Sequence, residues 1–434
     1  MAVKVIGAGL AGCEAAYRIA KSGHKVTLID CKPEVSSPAH KSRDYAELVC
    51  SNSLKSDVAD TASGLLKREL RMLGSLLIGV ADTVRVPAGG ALAVDREVFA
   101  AKVTEIIKSH PLIETETRVV EDIDEDEYTV IATGPLTVGK LSQALKSRLG
   151  DSLGFYDAAA PIVSADSIDF DRAFTASRYG KGTDDYINCP MNKEEYLAFI
   201  DALVNAERAE IHDFDKREIF DGCMPIEIMA ERGVDTVRFG PLRPVGFTDP
   251  ATGKRPYAVV QLRAENADKT MYNLVGFQTN LKFGEQKRVF GMIPALKNAE
   301  FLRYGVMHRN TYINSPRELN VYSQLVRYPK TFIGGQISGV EGYVESMASG
   351  LMCGINVSRI LSGKPPVVLP ETTIIGALYR YITSPTENFQ PMNANFGILP
   401  PLKDHIRDKA KRKTEYFERS VRDLGEFQKE NDLI

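Results

Sequence analysis

Several familiar signals are scarce in this chain. Its six cysteines (Cys13, Cys31, Cys50, Cys189, Cys223 and Cys353) stand far apart, and none falls into a CxxC or CxxxxC pair. A dithiol relay and a zinc ribbon are therefore disfavoured, and no metal site is expected. No stretch approaches eighteen consecutive apolar residues, so no membrane span is expected either. The net charge is only −3, too balanced to announce a nucleic-acid binder, although local basic patches can still form. Internal repeats and low-complexity tracts are also missing.

At 434 residues, 44% apolar and 26% charged, the composition is that of a soluble globular protein of about two or three domains. The first residues enter an apolar strand almost at once, leaving no room for a signal peptide. Unpaired cysteines suit a reducing compartment, and a cytoplasmic location is the expectation.

The most informative stretch runs from Val3 to Asp30. An apolar strand leads into Gly7-Ala8-Gly9-Leu10-Ala11-Gly12, then a helix near Cys13–Ser22, then a strand ending in Asp30. Gly7 permits the tight turn, Gly9 admits a pyrophosphate, and Gly12 lets helix and strand pack closely. The pyrophosphate would sit on the helix N-terminus, with Asp30 placed for a ribose hydroxyl. Flanking strands and a correctly spaced acid make this a strong dinucleotide signal.

Two further glycine stations follow. A strand at Tyr128–Ile131 ends in Ala132-Thr133-Gly134-Pro135. Near the other end, Thr331-Phe-Ile333 runs into Gly334-Gly335 and then Glu341-Gly342-Tyr343, opening a helix over 344–361. That helix N-terminus suits an electron-rich ring or a phosphate. Between these stations, from about 155 to 315, the βαβ rhythm gives way to charge, aromatics and short mixed segments. A helix over 192–206 and strands over 257–264 and 272–277 are expected there. Other expected elements are a helix over 61–74, a turn into a helix at Asp95-Arg96, a strand over 113–120, and a polar helix over 403–433 with a basic start.

The three stations together resemble the FAD-binding scaffold of glutathione-reductase-like flavoproteins. Closer correspondences lie at Cys50-Ser-Asn52-Ser-Leu-Lys55-Ser, Ala88-Gly-Gly-Ala-Leu-Ala-Val-Asp95-Arg96, Gly222-Cys223-Met-Pro225-Ile-Glu227, Arg238-Phe-Gly240-Pro-Leu-Arg243-Pro-Val-Gly246 and His308-Arg309-Asn310-Thr-Tyr312-Ile-Asn314. With these the chain resembles, over nearly its whole length, the folate- and FAD-dependent tRNA (uracil-5-)-methyltransferase family. The resemblance implies an α/β fold: a discontinuous Rossmann-type FAD-binding domain (1–154 and 316–434, the latter with a helical tail) carrying an inserted, RNA-facing α+β domain (155–315). It implies 5-methyluridine formation in RNA, with tRNA favoured and its T-loop uridine the target. The carbon would come from 5,10-methylenetetrahydrofolate, and NADPH or NADH would supply reduction through FAD. Alternatives are the same chemistry on ribosomal RNA, a GidA-like wobble-uridine enzyme, or a non-catalytic flavin-containing RNA-binding protein.

That chemistry explains the choice of residues. Uracil C5 becomes nucleophilic only when a thiolate adds to C6. A base must then remove the C5 proton, and a flavin must carry the hydride. Cys50 and Cys223 are the candidates, with Cys223 expected on the uracil and Cys50 near the flavin, where Lys55 would lower its thiol pKa. Cys13, Cys31, Cys189 and Cys353 are expected to be small buried hydrophobes. On the cofactor side the candidates are Gly7, Ala8, Gly9, Leu10, Ala11, Gly12, Asp30, Asn52, Lys55, Arg96, Gly134, Gly334, Gly335, Glu341, Gly342 and Tyr343. Arg309 and Asn310 are candidates for folate or flavin contacts. Arg238 and Arg243, in a scatter with Arg232, Arg255 and Arg263, are candidates for phosphates of RNA.

Overall fold

The structure is a computed structural model that describes residues 2–34, 42–49, 52–137, 139–156, 160–176, 186–209, 224–264, 268–305, 310–386, 389–404 and 406–433. The chain divides into two compact units: Met1–Phe155 together with Asn310–Ile434, and Tyr156–Arg309. It re-enters the first unit at Asn310 because the Asn310–Ile313 strand pairs with Leu153–Tyr156.

The first unit is built on a six-stranded sheet. Its order is Gln324–Leu325, Tyr328–Ile333, Thr129–Ile131, Val3–Ile6, Val26–Asp30 and Ile113–Thr117. All pairings are parallel except the Gln324–Leu325 edge. The chain winds outward from Val3–Ile6 in one direction and returns on its other side at Thr129–Ile131. That reversal is the switch point where open α/β sheets bind ligands, at the carboxyl ends of the strands.

Two helices cross on this sheet at unusually close range. Gly350 and Gly354 of the Tyr343–Leu361 helix face Ala11 and Ala15 of the Leu10–Lys21 helix. An ideal Cβ at Gly350 would stand 2.1 Å from the Ala11 carbonyl oxygen, and one at Gly354 2.9 Å from that of Ala15. Only glycine permits this approach. The C-terminal helix, Lys409–Asn431, is capped by Asp408, which accepts from the Lys411 amide at 2.7 Å. It begins later than 403 because the chain enters through Pro400 and Pro401 and reaches its cap only at Asp408. Buried Glu69 ties it down, accepting from Ser420 Oγ at 2.7 Å and from the Ile374 and Ile375 amides.

The second unit is of a different kind. Six strands form a wholly antiparallel sheet in the order Phe174–Thr175, Tyr186–Met191, Ala258–Ala264, Met271–Leu274, Ile162–Ser164 and Phe301–Arg303. Its core is aromatic and aliphatic, with Tyr196, Phe199, Phe277 and Phe290 fully buried. The Lys193–Val204 helix starts at a reciprocal cap: Asn192 accepts from the Glu195 amide, and the Glu195 carboxylate accepts from the Asn192 amide, both at 2.8 Å.

Candidate active site

Three adjacent strands of the parallel sheet each end in one of the glycine stations: Ile6 in Gly7, Ile131 in Ala132-Thr133-Gly134, and Ile333 in Gly334-Gly335. At the first, Gly7 takes φ 101°, and an ideal Cβ there would stand 2.5 Å from the Ala132 carbonyl oxygen. An ideal Cβ at Gly12 would lie 1.7 Å from the Gly7 carbonyl oxygen, so the helix returns hard against its own turn. Exposed Gly9 is the N-cap and offers no side-chain acceptor. The first intrahelical bond runs from the Cys13 amide to Gly9 O at 3.0 Å. The amides of Leu10, Ala11 and Gly12 therefore lie ahead of the helical ladder, with the positive end of the dipole behind them. An ideal Cβ at Gly9 would meet nothing within 4 Å, so there is room above them.

Asp30 is fixed beside this turn. Its Oδ2 accepts from the Ala8 amide at 2.6 Å and its Oδ1 from the Lys32 amide at 2.8 Å. Open amides at a helix N-terminus, a glycine floor and an anchored carboxylate fit the pyrophosphate and ribose of a dinucleotide. At the second station Gly134 takes φ 72°. At the third, the Gly335 amide donates to Ser349 Oγ at 3.1 Å, inside the helix that opens at Tyr343.

Lys55 and Gly342 meet at that helix start, whereas Asn52, Arg96 and Asn310 make their contacts elsewhere or are placed only by their strand. Lys55, with φ 64°, sends its ammonium 3.2 Å from Glu345 Oε1 in the first helical turn. Gly342 is the N-cap with φ 126°. The Glu341 amide donates to Met392 O at 2.8 Å, and Tyr343 is half-buried as the first helical residue. Asn52 donates from Nδ2 to Val94 O at 3.2 Å, and exposed Arg96 reaches Leu48 O at 3.5 Å directly after the Asp95 cap. Asn310 lies in the Asn310–Ile313 strand. Cys50, Cys223 and Arg309 lie outside the described residues. Thus Lys55 and Gly342 come together at one helix end. The residue that joins them, Glu345, had escaped sequence reasoning. Its signal was a glutamate three residues after a glycine N-cap.

On the second unit, Arg238 donates from Nε to Tyr257 O at 2.9 Å and lies over the Tyr257 ring at 4.1 Å and the Phe239 ring at 5.4 Å. Phe239 itself is 70% exposed, and Arg243 is exposed four residues beyond it. An exposed aromatic beside guanidinium groups is a surface suited to unstacked bases and phosphates. Asp235, 3.5 Å from Arg238, offsets part of that charge.

The described cysteines are poor nucleophiles. Cys13, Cys189 and Cys353 are fully buried, and burial pushes each thiol up, Cys353 to about 12. Cys31 is half-buried and raised by burial and then by Asp30. None of these four would be ionised near neutral pH. Among the described residues no cluster of His, Cys, Asp or Glu could hold a metal ion, and no helix is long and apolar enough to cross a membrane.

Comparison with known proteins extends these observations. The family model described as "Glucose inhibited division protein A" matches residues 2–365. The chain is 57% identical over 427 residues to the methylenetetrahydrofolate–tRNA-(uracil-5-)-methyltransferase TrmFO of Acetivibrio thermocellus, covering 98% of both chains. It is 56% identical to the enzyme of the same name from Moorella thermoacetica, covering 94% of each. Among solved structures, Aquifex aeolicus GidA in its form I crystal superposes with a TM-score of 0.50 at 16% identity, covering all of this chain and 76% of that one. That likeness shows the shared fold, a Rossmann-type FAD-binding scaffold. The identities at full length show the family more narrowly: the chain belongs to the TrmFO family of flavoproteins within the wider GidA group.

Proposed function

We propose that this chain is a folate- and FAD-dependent methyltransferase that forms 5-methyluridine in tRNA, at the T-loop uridine. The observation that carries this is the 57% identity to a methylenetetrahydrofolate–tRNA-(uracil-5-)-methyltransferase across 98% of both chains. The glycine-lined cradle at Gly7, Gly9 and Gly12 supports it by fitting a dinucleotide. No helix among the described residues would cross a membrane, which agrees with a cytoplasmic enzyme. In this reading the first unit holds the cofactor and the second meets the RNA.

Each group then has a task. The Leu10, Ala11 and Gly12 amides hold the pyrophosphate, and Asp30 orders the turn beneath it. Cys223, as thiolate, adds to uracil C6, which places the electron pair at C5 for attack on the methylene carbon. A base removes the C5 proton as the carbon–nitrogen bond to the folate carrier breaks and the amine leaves, which makes the carbon an exocyclic methylene at C5. Hydride addition to that methylene then expels the Cys223 thiolate and restores the C5–C6 double bond. Cys50 works on the flavin side. FAD held there and reduced by NADPH or NADH would supply the hydride that turns the transferred carbon into a methyl group. Arg238, Arg243 and Phe239 hold the flipped-out region of the RNA by charge and stacking.

The test is direct. The purified chain is incubated with undermodified tRNA, NADPH or NADH and 5,10-methylenetetrahydrofolate labelled in its methylene carbon, with a ribosomal RNA fragment in parallel. Label in 5-methyluridine of the T-loop is the expected result. Label in ribosomal RNA alone would move the target, and label in neither would overturn the proposal.

A further inference from the structure

We infer that Glu345 is a ligand-reading acceptor: its Oε2 takes an N–H from a bound lactam ring, either the pterin of the folate or the isoalloxazine of the flavin. This rests on the folate and flavin function proposed above. Three independent features of one spot support it.

The first is an orphaned atom. The Glu345 side chain is 1% exposed. Its Oε1 is occupied, accepting from the Ala394 amide at 3.0 Å and from Lys55 Nζ at 3.2 Å. Its Oε2 is buried and has no hydrogen-bond partner among the described residues. A buried carboxylate oxygen without a donor bears the cost of its lost hydration uncompensated. The ordinary solution is available and unused. Glu345 is the third residue of its helix, from which a glutamate commonly reaches back to the N-cap amide, yet here no such bond forms.

The second is the glycine beneath it. An ideal Cβ at Gly342 would stand 2.2 Å from Glu345 Oε2 and 3.2 Å from Lys55 Nζ. Any side chain at 342 would displace the carboxylate. The third is Lys55 itself, held at φ 64°, a left-handed conformation uncommon for a residue with a Cβ. Such conformations persist where the surroundings enforce them and cluster at ligand sites. Here the strained lysine delivers its ammonium to the oxygen of Glu345 that faces Ala394.

The surroundings define the ligand's chemistry. The Glu341 amide donates to Met392 O, and the Met392 amide to Gly339 O at 2.9 Å, so the 392–395 segment runs beside the helix entry. Asn395 is 5% exposed and donates from Nδ2 to Asn393 O at 3.0 Å, which fixes its amide with Oδ1 buried and, among the described residues, without a donor. Asn393 Oδ1 is in the same condition. All three orphaned atoms are acceptors. A helix N-terminus alone would invite an anion, but an anion has no N–H to give these acceptor oxygens. What fits is a ring edge bearing N–H donors. A pterin offers a ring N–H beside an exocyclic amino group, and a flavin offers the N–H between its two pyrimidine carbonyls.

The test uses the purified holoenzyme without RNA. Glu345→Gln keeps one oxygen for the Ala394 amide and turns a donor toward the ligand. FAD content and the flavin absorption spectrum are recorded, and tetrahydrofolate affinity is measured by titrating the flavin signal. A pterin contact predicts full FAD content and tetrahydrofolate binding weakened by about tenfold or more. A flavin contact predicts lost FAD or a displaced spectrum. Should Glu345→Gln fail to fold, Glu345→Asp keeps the charge, withdraws it by one methylene and is read the same way. A purely structural glutamate would lower the melting temperature and leave ligand affinity and spectrum unmoved, and that result overturns the inference. A natural chain that binds neither FAD nor tetrahydrofolate would instead overturn the proposed function, and this inference with it.

Discussion

The two units solve recognition by different means. In the first, the groups that suit a dinucleotide are backbone amides, and the residues that matter most are those with nothing beyond Cα. In the second, the sheet is antiparallel, the core is a packed set of aromatic rings, and the groups we propose to meet the RNA are side chains, Arg238, Arg243 and Phe239. At Gly7 and Gly12 the backbone site tolerates no added atom, and its preference for an anion comes from the helix dipole and not from a charged side chain. A side-chain site tolerates truncation structurally while losing affinity in proportion to what is removed. Substitutions in the two units should therefore fail in different ways, and this contrast is open to attack.

The largest effect is expected from Gly12→Val. Its Cβ would overlap the Gly7 carbonyl, so the purified variant should be colourless and remain so after incubation with FAD. A yellow variant would break the comparison at its base. Gly350→Val attacks the same site from the crossing helix, where the Ala11 carbonyl leaves no space. A loss of about 3 kcal/mol in denaturant unfolding is expected from overpacking, with weaker flavin retention.

In the second unit, Phe239→Ala should leave flavin content and unfolding midpoint unchanged, because the ring is 70% exposed. Binding of undermodified tRNA should weaken by about tenfold, the scale of one lost base-stacking contact of about 1–3 kcal/mol. Arg238→Ala should act similarly and flatten the salt dependence of binding. Unchanged RNA affinity in both variants would leave the second unit without its proposed surface.

A smaller effect concerns the anchor of the C-terminal helix. Burial lifts the Glu69 carboxyl to about 7, from an ordinary 4.5. Between those values the folded chain keeps a proton that the unfolded chain has released, so folded-state stability declines as pH rises. Relative to Glu69→Gln, which cannot ionise, the natural chain should lose stability between about pH 4.5 and 7 and change no further above that. Urea unfolding of both chains across this range checks it, and a constant difference would contradict it.

Legibility in the sequence followed the same division. The glycine stations were readable because a positive φ or a close approach leaves one residue type to choose from, and the strands before them were short apolar runs. The helix expected over 192–206 is found at Lys193–Val204, where the Asn192–Glu195 cap fixes its start by local chemistry alone. Of the antiparallel sheet, two strands near 257–264 and 272–277 were foreseen. Its other four strands are two to six residues long and gain their register only from partners distant in sequence. The strand expected over 113–120 ends at Thr117, where its parallel partner ends at Asp30. Glu345 was hidden for a related reason: Lys55 and Ala394 meet it from 290 and 49 residues away. No local pattern encodes such a meeting.

The division of labour between the units is tested most directly by covalent trapping. The natural chain and its Cys223→Ala variant are each incubated with 5-fluorouracil-containing tRNA, folate and reductant, and the protein–RNA adduct is resolved under denaturing conditions. The account predicts an adduct with the natural chain, none with Cys223→Ala, and the same FAD content in both. An adduct that survives the substitution would contradict it.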